Sequence, residues 1–92
     1  SYTHVERIDI LRQVAIQLQK CRADLIGVGI AEVGKLVKEL DSEISEAIDF
    51  ANYYAYSMES LLTDTHVEYK GGGVNLVLSP WNFPIAIPAG GI

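Results

Sequence analysis

At 92 residues the chain has room for one hydrophobic core and not for a second, and its 49% hydrophobic content is too high for a disordered chain. Twelve acidic residues against seven basic ones leave a formal charge of -5, which disfavours nucleic acid and anionic membrane surfaces as partners. A single cysteine excludes an internal disulfide, no apolar run reaches the roughly 18 residues of a membrane span, and a cytoplasmic location is expected.

Thr3-His4-Val5-Glu6 has the form of a capping box, so a helix is expected to start there. Val5, Ile8, Leu11, Ala15 and Leu18 recur at helical spacing, with Val14 and Cys21 beside them. Arg7, Arg12, Gln13, Gln17 and Lys20 fall on the opposite face. Asp24 is the expected cap of a second, shorter helix through Leu25, Ile26, Val28, Ile30 and Val33, which is apolar nearly all round and so predicted to be buried. Gly34 should stop it. The strongest periodicity runs from Asp41 to Leu62, where Ile44, Ala47, Ile48, Ala51, Ala55 and Met58 mark one stripe. Asp41 or Ser42 would cap this long helix, with Glu43 and Glu46 in its first turns facing the positive end of the dipole.

Downstream the character of the chain changes. His66–Lys70 and Val74–Leu78 read as two short strands joined by Gly71-Gly72-Gly73, the second apolar on both faces as in a strand covered on two sides. No charged residue occurs from Gly71 to Ile92, which holds all three prolines and the only tryptophan. An exposed apolar terminus is unfavourable, so this stretch is expected to be covered by further protein, failing which the chain should self-associate. Pro84 is expected to open a new helix. The fold class is therefore α+β and mainly helical: three helices followed by a short β-hairpin or strand pair, belonging to a larger α/β fold.

Few side chains form a chemical constellation. Cys21 continues the Val14 and Leu18 face and reads as a small buried hydrophobe. His4 and His66 have no partners at metal-ligand spacing and read as surface residues, so no metal site is expected. Tyr53, Tyr54 and Tyr56 surround their helix and favour packing over a platform for bases. Neither glycine cluster has the sequence of a phosphate loop. Glu43 and Glu46 could form a carboxylate pair, although dipole complementarity explains them equally well. Ser79-Pro80-Trp81-Asn82-Phe83-Pro84 differs: an amide between two aromatic residues follows a strand-like run and precedes a helix, the position at which open α/β sheets bind ligands. An asparagine there can donate its NH2 to a developing oxyanion, or simply close a turn before proline.

Ser79 to Pro84 resembles the strand-to-helix motif of the aldehyde dehydrogenase superfamily. Glu6-Arg7, Glu32-Val33-Gly34-Lys35 and Glu43 to Ala55 precede it in that superfamily's order. The segments EAIDFANYYA and SPWNFPIAIPAGG are most similar to the 1-pyrroline-5-carboxylate dehydrogenases, including the dehydrogenase part of proline utilisation protein A. The resemblance implies that residues 1–92 are the partial N-terminal region of an NAD-dependent enzyme that oxidises L-glutamate γ-semialdehyde to glutamate in proline catabolism. Residues 1–65 would be its helical part, and 66–92 the strands and the start of the cofactor-domain turn and helix. It further implies that Asn82 stabilises the oxyanion, that Ser79, Pro80 and Trp81 lie along NAD, and that Glu46 and Phe83 border the aldehyde pocket. A homo-oligomer is expected. The family's cysteine nucleophile and general-base glutamate match nothing in this chain, so alone it should be inactive and should not bind NAD. The alternative is a small helical interaction module without catalysis.

Overall fold

In the computed structural model, which describes residues 2–92, the chain forms four α-helices: α1 (His4–Lys20), α2 (Arg22–Val33), α3 (Val37–Leu61) and α4 (Ala86–Gly91). The start of α1 follows the sequence pattern. The Thr3 hydroxyl accepts from the Glu6 N–H at 3.2 Å, and the Glu6 carboxylate accepts from the Thr3 N–H at 2.7 Å. α2 stops at Gly34, whose φ of 69° lies in the left-handed region, and whose N–H donates to the Ile30 carbonyl at 3.1 Å.

α3 begins earlier than the Asp41 or Ser42 cap predicted, adding a turn that carries Leu40. Leu36 takes the cap position and its N–H donates to the Glu39 carboxylate at 3.1 Å, half of a capping box, because leucine has no side-chain acceptor to complete it. The extra turn matters to the core. Leu40 and Ile44, one turn apart, are the largest completely buried side chains, and Ala47, Ala51 and Ala55 continue the stripe. These alanines permit close helix approach: α1 lies along α3 with Ile8 and Ala15 buried, while α2 and α4 also pack against α3. Leu40 fills the notch made by Gly29 on α2, where a Cβ would come within 2.6 Å of its side chain.

Several expectations fail for identifiable reasons. α2 is not buried: Gly29 alone is, while Val28 and Ile30 are exposed. Its composition is apolar, but only one side of it meets another helix, α3, with a lesser contact to α1. Cys21 is exposed, because it falls at the junction of α1 and α2 after the regular face of α1 has ended. His4 is half-buried, with Nε2 2.7 Å from the Tyr69 carbonyl oxygen.

The β-hairpin is not formed, and no strand occurs among the described residues. Between α3 and α4 the chain runs without helix or strand, and Val74, Leu76 and Leu78 are exposed. Two short strands alone gain too little to hold a ladder, and a strand apolar on both faces needs a layer on each side. The described residues supply neither. The radius of gyration, 15.0 Å, exceeds the ~12 Å of a compact chain of this length. Pro84 does not open α4, which starts at Ala86 after a turn.

Candidate functional site

α3 is amphipathic with one exception. Glu43 stands one turn from both Leu40 and Ala47, on the buried stripe, and only 2% of its surface is accessible. Burying a carboxylate is costly unless its oxygens are occupied. Glu43 Oε2 accepts from Lys35 Nζ at 2.9 Å, and Oε1 accepts from the N–H groups of Ile85 at 3.0 Å and Ala86 at 3.1 Å. Burial alone pushes the acid toward neutrality, yet the Lys35 hydrogen bond, the two backbone donors and the lysine's charge together hold its pKa below the usual glutamate range. The carboxylate thus stays charged, joining three segments distant in sequence. Lys35 follows the glycine stop of α2, Glu43 belongs to α3, and Ile85 and Ala86 lead into α4.

Lys35 has a second neighbour. Its ammonium lies 4.0 Å from the Phe83 ring centroid, a cation–π distance, so both Phe83 and Ile85-Ala86 are tied back to the same ion pair. Trp81 and Asn82 project beyond these ties, Trp81 with 76% of its surface accessible. Among the described residues the Asn82 side chain makes no hydrogen bond within the chain. Its amide is therefore available to an acceptor from outside.

Trp81, Asn82 and Phe83 line a cleft of about 540 Å³ together with Lys35, Glu43 and Glu46. Four of the six residues singled out from the sequence, Glu46, Trp81, Asn82 and Phe83, thus meet in one place. Ser79, half-buried, and Pro80, exposed, lie just upstream and outside the lining. The cleft can offer an amide donor, a lysine and carboxylates of opposite disposition: Glu43 turned inward and Glu46 exposed. Glu43 and Glu46 are therefore not an acid–base pair, since one is consumed by three hydrogen bonds.

Sequence reasoning missed the role of Glu43, which is neither a dipole partner nor exposed. The signal was present: a charged residue on the Leu40, Ile44, Ala47 stripe must be paired when it is buried. Lys35, eight residues away, was the candidate partner. Cys21 is not among the residues that line the cleft. Among the described residues no three His, Cys, Asp or Glu side chains converge in a way that could hold a metal ion.

The model of the aldehyde dehydrogenase family matches residues 1–92. The 1-pyrroline-5-carboxylate dehydrogenases of Geobacillus sp. (strain WCH70) and Anoxybacillus flavithermus (strain DSM 21510 / WK1) are each 39% identical over 94 residues, covering 91% of this chain and 18% of the relative. The bifunctional protein PutA of Escherichia coli (strain K12) is 36% identical over 88 residues, covering 95% of this chain and 6% of that protein. The chain thus spans less than a fifth of the curated relatives it matches. No solved structure matches.

Proposed function

This chain belongs to the aldehyde dehydrogenase family, and we propose that it works as the N-terminal part of a longer NAD-dependent enzyme oxidising L-glutamate γ-semialdehyde, the open form of 1-pyrroline-5-carboxylate, to glutamate in proline catabolism. The observation that carries this reading is the cleft in which Glu46 of α3 meets the Trp81-Asn82-Phe83 turn. The names and identities of the relatives support the choice of substrate. In this reading residues 1–65 are a helical part, and 66–92 lead into the cofactor-binding domain. The enzyme is a cytoplasmic homo-oligomer, its apolar segment around Val74–Leu78 covered by further protein.

Each residue then has a distinct task. Oxidising an aldehyde through a covalent adduct places negative charge on the carbonyl oxygen, and the Asn82 NH2 donates a hydrogen bond to that oxygen as the charge develops. Phe83, held by Lys35, forms an apolar wall, and Glu46 borders the substrate. Ser79, Pro80 and Trp81 suit one side of NAD. The exposed Trp81 indole offers an apolar face, Pro80 an uncharged ring and Ser79 a hydroxyl. When bound, NAD supplies the hydride acceptor. The nucleophile and water-activating base belong to the rest of the enzyme, so this chain alone is inactive and does not retain NAD.

Full-length enzyme mixed with L-glutamate γ-semialdehyde and NAD should form NADH, followed by absorbance, with a higher kcat/KM than for unsubstituted aliphatic aldehydes. Oxidation of the aliphatic aldehydes without turnover of the semialdehyde would refute the substrate assignment.

A further inference from the structure

We propose that Glu43 is a positioning residue for Asn82, pinning through its buried carboxylate the turn that presents the Asn82 amide. The inference rests on the reading of Asn82 as the oxyanion donor and extends it to a residue that touches no reacting atom. Its basis is the way the turn is held. Residues 80–83 are exposed, Trp81 with 76% of its surface accessible, so burial does little to fix their position. Downstream, two consecutive N–H groups, of Ile85 and Ala86, donate to one oxygen of Glu43. At Phe83 itself, the ring contacts the lysine that occupies the other oxygen. Two donors converging on one acceptor define both the place and the tilt of the peptide units that follow Asn82. The acceptor in turn sits on α3, beside the completely buried Ile44.

An oxyanion donor is sensitive to such support, because its contribution depends on meeting the oxygen at hydrogen-bond distance in the transition state. Glu43→Gln retains the shape of the side chain but removes the charge that strengthens both amide hydrogen bonds and holds Lys35. Lys35→Met removes the ammonium while leaving an unbranched chain against Phe83, and so perturbs the same network from its other end.

The test is a double-mutant cycle on kcat in the full-length enzyme under conditions where chemistry limits the rate. Glu43→Gln should lower kcat about 10-fold, since misplacement by a fraction of an ångström has effects of this order, with KM for NAD little changed. In the Asn82→Ala background the same substitution should cause no further loss. Lys35→Met should repeat the pattern, and serves where Glu43→Gln yields no folded enzyme. Equal fractional losses in the presence and absence of Asn82 would overturn the proposal while leaving Asn82 as the donor. If Asn82→Ala itself leaves kcat unchanged, the oxyanion reading fails first and the positioning role with it.

Discussion

Asn82→Ala in the full-length enzyme should lower kcat by about 10²–10³, the effect of deleting one oxyanion donor, equivalent to roughly 2.7–4 kcal/mol of transition-state stabilisation. The affinity for NAD should hardly change, because the lost hydrogen bond goes to an oxygen whose charge develops only during reaction. Steady-state kinetics combined with cofactor titration separates the two. The substitution is also structurally mild: the Asn82 side chain is exposed and, among the described residues, bonds nothing within the chain. A fall in kcat accompanied by a large fall in stability would point instead to an asparagine that merely shapes its turn.

Glu43→Ala should have the largest effect on folding, destabilising the chain by about 3–5 kcal/mol, as expected when one member of a buried ion pair is removed. It strands the Lys35 ammonium, whose side chain is 16% accessible, and leaves the Ile85 and Ala86 N–H groups without their acceptor. The exposed Arg12–Glu59 pair, by contrast, contributes little. Urea unfolding of Glu43→Ala and of Glu59→Ala measures both effects.

The effect of Glu43 depends on pH in a defined direction. Its folded-state pKa lies below the unfolded value, so on acidification the unfolded chain takes up the proton first. The stabilisation is complete above the ordinary glutamate pKa and is lost as pH falls through the lower folded value. The stability difference between wild type and Glu43→Gln should therefore be flat at neutral pH and shrink as pH falls through the usual glutamate range toward the lower folded value. A wild-type advantage that instead grows as pH falls from neutrality would mean that the buried acid's pKa is raised, with desolvation prevailing.

Local signals were the most legible part of the sequence. The capping box at Thr3 and Glu6 and the left-handed stop at Gly34 depend on neighbours in the chain, and both formed as read. The beginning of α3 was harder to locate, because Leu36 gives no capping signal and the Asp41-Ser42 pair offers a plausible cap inside the helix. Burial was less legible still. The apolar composition of α2 says nothing about how many neighbours it has, and Gly29 is its only buried residue. The Val74–Leu78 run has strand chemistry, but a strand exists only with a partner. The cleft was readable in part: Asn82 and Phe83 stand out by motif, whereas Glu43 requires knowing which face of α3 is covered and that Ile85 and Ala86 come to meet it.

The most direct test of the cleft's assignment is a crystal structure of the full-length enzyme with NAD and its aldehyde trapped as a covalent adduct. Asn82 Nδ2 should lie about 2.7–3.1 Å from the former carbonyl oxygen, with Phe83 and Glu46 bordering the substrate chain and Trp81 beside the cofactor. An adduct whose oxygen is bound by other donors, with Asn82 turned away and the Glu46 side of the cleft empty, would contradict it.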